Sequence, residues 1–181
     1  DLPVSAMDAG ADMCVQSSHK IISGMTQGSI LHARKSTDIL KLKRILNFLQ
    51  TTSPSYVIMA SLDSARMQMV LEGQKLLSRT IEYAEYGRKK INELGWRSFG
   101  RELINKESIY NVDVTKLVIY VAHLNVSGYE IAKRLNKQYG VQMEFADPYS
   151  VLGIVSIGNV KKDLKKLKEL PKFKNEKEES D

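Results

Sequence analysis

The hydrophobic period of the sequence changes once along the chain, close to Asn105. Before that point, apolar residues recur at helical spacing from about residue 39 to residue 94, with one break at residues 51–54. Beyond it, short apolar runs alternate with amphipathic stretches, which is typical of strands and helices packed around one sheet. We therefore expect an α/β protein in which long helices precede a smaller lobe.

Two short runs of small and apolar residues lie near the start of the chain, at residues 11–16 (ADMCVQ) and 27–33 (QGSILHA). Their composition predicts two buried strands. The polar stretch SSHKIISGMT connects them. Connections that leave a buried strand are where α/β proteins usually place their reactive groups, so this stretch is the first candidate for a functional site.

The helical part of the sequence carries its own start and stop signals. Residues 36–38 (STD) offer an N-cap for a helix at about residues 39–49. Apolar residues cover more than one face of that helix, which predicts that it is well buried. Pro54 suits the first turn of a second, long helix, and Gly95 stands where the C-cap of that helix is expected.

The sequence beyond residue 105 predicts the order β-α-β-β-α. A capping box of Ser127 and Glu130 starts the first helix of this part, and Gly140 ends it. The three strands are predicted at residues 116–122, 141–145 and 151–157. The second helix is indicated by a row of apolar residues, namely Val160, Leu164, Leu167 and Leu170.

Composition and charge exclude several classes of function. The net charge of +6 is moderate, and the lysines after residue 160 alternate with acids and lack interleaved aromatics, so no nucleic-acid partner is expected. No run approaches the roughly 18 apolar residues that a membrane span needs, so no membrane partner is expected either. Cys14 is the single cysteine and the three histidines are scattered, which is too sparse for a metal site and fits a cytoplasmic protein.

One group of residues suggests a chemical mechanism. It follows the first predicted strand and consists of Ser17, His19 and Lys20. A lysine at the rim of a sheet, partly desolvated and close to other donors, is disfavoured as an ammonium, so its neutral amine becomes available for Schiff-base formation. Serine and histidine beside it can hold an anionic phosphate. Taken alone, however, the tetrapeptide SSHK favours a solvated loop lysine beside a helix-capping serine.

A longer stretch of sequence around Lys20 resembles a known family, and this resemblance favours a reactive lysine over a solvated one. Residues 5–32 (SAMDAGADMCVQSSHKIISGMTQGSILH) closely resemble the lysine region of the pyridoxal-phosphate-dependent Orn/Lys/Arg decarboxylase family. In that family a strand precedes Ser-x-His-Lys, a Gln-Gly segment and a Leu-His pair. Later motifs resemble the same family in the same order: TSPSY at 52–56, ASLD at 60–63, DVTKL at 113–117, GYE at 128–130 and GVQME at 140–144 with Asp147.

The resemblance covers about residues 1–170 and implies a fold. Residues 1–105 are expected to be the C-terminal part of a PLP-dependent, aminotransferase-like (fold type I) large domain, including the Schiff-base lysine and long connecting helices. A small C-terminal α/β domain is expected at residues 106–170, and residues 171–181 are expected to form a disordered charged tail. Such enzymes are dimers or larger, with active sites at the subunit interface, so a homo-oligomer is implied.

The same resemblance implies a reaction and a set of site residues. Lys20 and His19 are the implied catalytic residues: Lys20 carries pyridoxal 5'-phosphate as a Schiff base, and His19 and Ser17 contact its phosphate. The implied reaction is decarboxylation of a basic amino acid, with arginine favoured over lysine or ornithine, to a polyamine or its precursor and CO2. Glu144 and Asp147 could face the distal cation of the substrate, or equally be ordinary strand-end and turn acids.

Part of the family's site lies outside this chain. The aspartate that pairs with the pyridine nitrogen, the ring-stacking histidine and most of the phosphate site precede the lysine in the family. The chain opens on Asp1 without a methionine, so we expect a fragment. We expect it to have little decarboxylase activity alone, because it lacks the charge that keeps the ring nitrogen protonated. Two alternatives remain: a non-catalytic assembly module, and another pyridoxal-phosphate enzyme such as a cysteine desulfurase. The second is disfavoured because residues 21–28 lack the Gly-Pro-x-Gly pattern of desulfurases.

Overall fold

The computed structural model describes residues 2–106 and 108–166. Its elements follow in this order: β1 (Met13–Ser17), α1 (Ser18–Ile21), β2 (Ser29–Ala33), α2 (Ile39–Leu49), α3 (Tyr56–Glu93), β3 (Arg97–Ser98), β4 (Lys116–Tyr120), α4 (Gly128–Tyr139), β5 (Phe145–Ala146), β6 (Ser150–Ile154) and α5 (Lys161–Lys165). The described residues form two compact units. The N-terminal unit is Val4–Gln74, and the C-terminal unit takes in the described residues from Lys75 onward together with residues 2 and 3.

The N-terminal unit contains an antiparallel pair of strands. β1 pairs with β2 so that Met13 lies opposite Ala33 and Ser17 lies opposite Ser29. Both strands start two residues later than the sequence predicts, because turns or bends occupy the residues before them. Their predicted burial is wrong: Met13 is 50% exposed and Val15 is 68% exposed, since no described element of this unit packs over these side chains.

Helix α2 begins where the sequence predicts. Its N-cap Asp38 accepts a hydrogen bond from the backbone N–H of Lys41 through Oδ1, at 2.9 Å. None of its residues is buried, however, so the predicted burial of this helix is wrong. A helix that is apolar on more than one face becomes buried only where other elements cover those faces, and the described part of the N-terminal unit does not cover them.

Helix α3 is continuous over 38 residues, a length of about 57 Å at the standard rise per residue. The predicted end of the long helix is confirmed, because Gly95 follows it with φ of 85°, in the left-handed region that favours glycine. The boundary between the two compact units falls within this helix, after Gln74. No described helix, α3 included, has the length and apolar character needed to cross a lipid bilayer.

The C-terminal unit contains a four-stranded antiparallel sheet in the order β3-β4-β6-β5. β4 pairs with β6 along its whole length, with Lys116 opposite Ile154. Leu117 and Ile119 are buried, whereas Val118 between them is 44% exposed. This alternation is the period of two that a strand shows when only one of its faces meets the core.

Helix α4 packs against β5 and β6. The predicted cap is confirmed: the Ser127 hydroxyl accepts a hydrogen bond from the backbone N–H of Glu130 at 3.2 Å. Gly140 ends the helix with φ of 62°. The hydrophobic core of this unit combines the end of α3, the sheet and α4, and it includes Ile91, Leu94, Trp96, Leu117, Ile119, Ile131, Leu135 and Val151.

Several strand bounds in this unit differ from the prediction. The strand predicted at 141–145 is the shorter Phe145–Ala146, and the one predicted at 151–157 is Ser150–Ile154. The two-residue strand β3 was not predicted, because two residues carry no detectable period. The predicted last helix corresponds to α5. Leu167 and Leu170, which were predicted to belong to it, and the predicted tail at 171–181 lie outside the described residues. The domain boundary at residue 105 stays a prediction.

A buried arginine links α3 to the segments that lead into the sheet. Arg88 is 4% exposed and donates hydrogen bonds from Nε to the carbonyl oxygen of Phe99, at 2.9 Å, and from Nη2 to that of Val114, at 2.8 Å. Its Nη1 pairs with Glu85 at 2.7 Å. Gly100 leaves room for the guanidinium, because an added Cβ there would lie 2.9 Å from Arg88 Cδ.

Candidate functional site

The candidate lysine lies directly after β1, on a single helical turn. Ser17 is the last residue of β1, and the four-residue helix α1 carries Ser18, His19 and Lys20. The backbone N–H of Ser18 donates to the carbonyl oxygen of Gly28 at 3.1 Å, which continues the pairing of the hairpin by one step. The hydroxyl, imidazole and amine that the sequence singled out are therefore presented on one short segment.

The three predicted site residues of this segment are open to water in the described chain. Ser17, His19 and Lys20 are exposed, and Ser18 between them is buried. The described residues therefore do not supply the partial desolvation that the sequence led us to expect for Lys20. The partial desolvation of Lys20 stays a prediction.

The chain that follows Lys20 is held against α3 by two side-chain hydrogen bonds. The Ser23 hydroxyl donates to Gln68 Oε1 at 2.6 Å. The backbone N–H of Met25 donates to Ser61 Oγ at 3.1 Å, and this hydroxyl in turn donates to the carbonyl oxygen of Ile58 at 2.7 Å. Both partners on α3, Ser61 and Gln68, are half-buried, while the two hydrogen bonds that join them to the loop lie at the surface.

Two glycines let the same segment pack closely. An added Cβ at Gly24 would lie 2.8 Å from the Cβ of Ser18, and one at Gly28 would lie 3.0 Å from Cδ2 of Leu62 and from the carbonyl oxygen of Met25. No larger residue fits at Gly24 without displacing Ser18. The loop between β1 and β2 is therefore a packed structure whose path is fixed by contacts.

The donor set of this segment fits a phosphorylated aldehyde. Lys20 offers a primary amine that can form a Schiff base, while Ser17 and His19 offer a hydroxyl and an imidazole N–H that can donate to phosphate oxygens. Ser18 Oγ is buried and has no hydrogen-bond partner among the described residues. Because buried hydroxyls nearly always have a partner, Ser18 fits a site that receives a further polar group.

The two candidate substrate carboxylates lie in the C-terminal unit, whereas Lys20 lies in the N-terminal unit. Glu144 is exposed and directly precedes β5. Its backbone N–H donates to the carbonyl oxygen of Leu152 at 2.9 Å, which fixes the backbone but leaves the side chain at the surface. This placement fits either a substrate carboxylate or a strand-end acid, and the role of Glu144 stays a prediction.

The carboxylate of Asp147 organises its own turn. Oδ1 accepts hydrogen bonds from the backbone N–H groups of Tyr149 and Ser150, both at 2.7 Å, and Oδ2 accepts one from the Ser150 hydroxyl at 2.8 Å. The Ser150 hydroxyl and the Tyr149 amide hold the pKa of Asp147 below its ordinary value. These contacts favour the turn-forming role for Asp147, and a role in substrate binding stays a prediction.

The residues on α3 that hold the lysine segment have no clear signal in the sequence. Ser61 lies in the ASLD motif of the resemblance, without a role attached, and Gln68 belongs to no motif. Their contacts join residues that are 36 and 45 positions apart along the chain. Hydrogen bonds over such separations depend on tertiary structure and leave no local signal.

A cavity of about 300 Å³ lies in the C-terminal unit among core side chains of β4, α4 and β6, with Asn159, Asp163 and Lys166 at its polar side, and none of the predicted site residues lines it. In the part of the chain that the structure describes, no three histidine, cysteine, aspartate or glutamate side chains are grouped so as to hold a metal ion.

Comparison with known proteins identifies the family that this chain resembles. Residues 1–163 match the family model described as Orn/Lys/Arg decarboxylase, major domain. The arginine decarboxylase of Halalkalibacterium halodurans is 38% identical over 165 residues, which are 90% of this chain and 34% of that protein. The chain spans about a third of the length of the curated relatives it matches.

Solved structures share the fold. The lysine decarboxylase of Francisella novicida aligns with a TM-score of 0.70 and 22% identity, over 84% of this chain and 26% of that chain. The alanine–glyoxylate aminotransferase of Nostoc sp. aligns with a TM-score of 0.64 and 19% identity, over 90% of this chain and 49% of that chain. The predicted α/β, aminotransferase-like fold is confirmed, and the separate small domain stays a prediction.

Proposed function

The chain belongs to the Orn/Lys/Arg decarboxylase family, and on that premise we propose that it supplies the cofactor-bearing lysine, Lys20, of a pyridoxal-phosphate-dependent basic amino acid decarboxylase. The observation that carries the proposal is the family match over residues 1–163, which takes in the SSHK segment and all of α3. Arginine is the favoured substrate, ahead of lysine or ornithine, because the relative from Halalkalibacterium halodurans is an arginine decarboxylase. A cysteine desulfurase is not proposed, because the matched family is one of decarboxylases.

The residues of this chain bind and orient the cofactor. When bound, pyridoxal phosphate supplies an electron sink for the electron pair that remains on the α-carbon as CO2 leaves. Lys20 binds the aldehyde covalently through its neutral amine, and Ser17 and His19 donate hydrogen bonds to the phosphate. Because all three residues lie within four positions, at the end of β1 and on α1, they can contact one cofactor molecule together.

The remaining parts of the proposal concern the whole protein. It converts its basic amino acid to CO2 and an amine that is a polyamine or a precursor of one, and it acts in the cytoplasm as a homodimer or a larger homo-oligomer. Glu144 is kept as the candidate partner for the distal cation of the substrate. The partner of the ring nitrogen precedes the lysine in this family, so we expect the 181-residue chain alone to release little CO2.

The first test asks which lysine binds the cofactor. Pyridoxal phosphate is added to a complete enzyme that contains these residues, the adduct is reduced with borohydride, and the modified residue is mapped by mass spectrometry. We expect modification chiefly at Lys20, and Lys20→Arg should abolish it, because arginine keeps the charge but forms no Schiff base.

Lys35→Arg is the matched control, because Lys35 is another exposed lysine of the same unit. This variant should retain the adduct at Lys20. Modification spread evenly over the exposed lysines, with no change in Lys20→Arg, would contradict the proposal and favour a non-catalytic assembly module instead.

The second test addresses the reaction. A complete enzyme that contains these residues should release CO2 from arginine faster than from lysine or ornithine, and Glu144→Gln should weaken its discrimination in favour of basic substrates. Unchanged kinetics in Glu144→Gln would remove this residue from the site. Robust CO2 release by the 181-residue chain alone would overturn the expectation that the ring-nitrogen partner is needed from outside it.

A further inference from the structure

Helix α3 holds the segment that follows Lys20 through Ser61 and Gln68. We propose that these two α3 side chains are positioning residues for Lys20: by fixing residues 22–28 on the helix, they set where the lysine amine lies. The inference rests on the proposed function, in which Lys20 bears the cofactor. It assigns roles to two residues for which the sequence offered none.

The helical turn that carries Lys20 cannot hold itself in place. α1 has four residues, and its N-cap Ser17 makes no side-chain capping hydrogen bond. Helices of this length are unstable without external contacts, because the free-energy cost of nucleating a helix exceeds the stabilisation from a single turn of hydrogen bonds. The direction of Lys20 is therefore decided by the anchors on its two sides.

The anchor on the N-terminal side is the hairpin. β1 pairs with β2 from Met13 to Ser17, and the hydrogen bond from Ser18 N–H to Gly28 extends this pairing up to the turn. This anchor fixes the start of the turn only. The end of the turn needs a second fixed point, since a chain held at one end keeps its rotational freedom.

The anchor on the C-terminal side is α3. Ser23, three residues after Lys20, donates to Gln68 Oε1 at 2.6 Å, and Met25, two residues further, donates its N–H to Ser61 Oγ at 3.1 Å. These are the contacts that connect the chain beyond the lysine to a long, regular helix. Loss of either one removes one of the contacts that hold the end of the turn.

Close packing transmits this anchoring back to the turn. Gly24 lies between Ser23 and Met25 and approaches Ser18 so closely that its missing Cβ would be 2.8 Å from that of Ser18. An added Cβ at Gly24 would also lie 3.5 Å from Leu62 on α3. A shift of the segment on α3 therefore displaces Ser18, which shares a helical turn with Lys20.

The test uses a complete enzyme that contains these residues, with added pyridoxal phosphate, and measures the share of borohydride-trapped adduct at Lys20 relative to Lys35. Ser61→Ala and Gln68→Leu should each lower this ratio about fivefold, the effect of one lost neutral hydrogen bond. They should also shift the pH at which the absorbance of the imine titrates. Amide hydrogen exchange at residues 22–28 should become faster in both variants.

Two further variants separate positioning from general stability. Ser61→Thr keeps the hydroxyl and should restore the ratio to that of the unmodified sequence. Ser64→Ala changes an exposed serine on the same helix and should leave the ratio unchanged. A merely structural role would lower the urea midpoint in Ser61→Ala and Gln68→Leu but would leave the ratio and the pH profile of the folded molecules unchanged.

The outcomes distinguish the two proposals. Absence of preferential trapping at Lys20 in the unmodified complete enzyme contradicts the proposed function. Preferential trapping at Lys20 that persists, with an unchanged pH profile, in Ser61→Ala and Gln68→Leu overturns the positioning role and leaves the proposed function standing.

Discussion

Gly128, the first residue of α4, approaches the turn after β5 so closely that an added Cβ would lie 2.3 Å from the carbonyl oxygen of Asp147. The same Cβ would lie 2.1 Å from the carbonyl oxygen of Ser150. Both neighbours are backbone atoms that are held by the carboxylate of Asp147, so they have little freedom to move. Helix and turn therefore meet backbone to backbone at this point.

Gly128→Ala is expected to destabilise the chain by about 3 kcal/mol, because the new methyl group forces α4 away from the turn. The free energy of unfolding in urea measures this loss. Gly158→Ala is the matched control: its added Cβ would lie 3.6 Å from Ser156 Oγ, an ordinary contact, and the change should cost less than about 0.5 kcal/mol. Equal stability of the two variants would show that the turn moves freely.

Arg88→Met should lower the free energy of unfolding by about 3 kcal/mol. Methionine fills a similar volume, but it leaves the carbonyl oxygens of Phe99 and Val114 without their buried donor. Arg134→Met removes an exposed helix ion pair with Glu130 and should cost about 0.5 kcal/mol or less. A similar loss in both variants would argue against a buried role for Arg88.

Stability is expected to decrease in acid through Asp113 and Asp147. Partial burial raises the pKa of Asp113, but hydrogen bonds from the hydroxyl and N–H of Thr115 outweigh it, and the pKa is lowered. Hydrogen bonds from Ser150 and Tyr149 lower the pKa of Asp147. A carboxylate with a lowered folded-state pKa stabilises the fold at neutral pH, and this contribution is lost as the pH falls below about 4.

The measurement is the urea midpoint between pH 7 and pH 3. The double variant Asp113→Asn, Asp147→Asn should show a weaker pH dependence than the unmodified chain, because two of the groups that take up protons on unfolding are gone. An identical slope in both proteins would show that these hydrogen bonds do not persist in solution.

The C-terminal end of α2 presents an apolar surface, since Phe48 is 89% exposed and Leu49 is 79% exposed. Exposed apolar surface of this kind binds hydrophobic dyes and promotes association. The double variant Phe48→Gln, Leu49→Gln should reduce dye fluorescence while changing the free energy of unfolding by less than about 0.5 kcal/mol. A large loss of stability would mean that these side chains are packed in solution.

The features that the sequence predicted correctly are those with local signals. The glycine at the end of α3, the serine cap of α4 and the position of β4 each depend on a few neighbouring residues, so their signals are readable without tertiary structure. The exposure of β1 and α2 depends instead on what covers them, which composition does not reveal. For that reason the predicted burial of both was wrong.

In the candidate site, too, the residues with local sequence signals were predicted and those that depend on tertiary contacts were not. The SSHK segment was found because its residues are adjacent and resemble a family motif. Ser61 and Gln68 carry no such signal as anchors, because two whole elements, β2 and α2, separate them along the chain from their partners in the loop. The hydrogen bonds that Asp147 accepts within its own turn could not be predicted either. The sequence does not distinguish an aspartate that forms a turn from one that binds a ligand.

The pairing of β4 with β6 has a consequence during synthesis. β4 ends at Tyr120 and its partner begins at Ser150, so the strand leaves the ribosome about thirty residues before it can pair. Until then, the edge of β4 that later pairs with β6 is open to other nascent chains. Helix α4 is made in this interval, so substitutions that weaken it should reduce the yield of folded chain even where they hardly alter the finished structure.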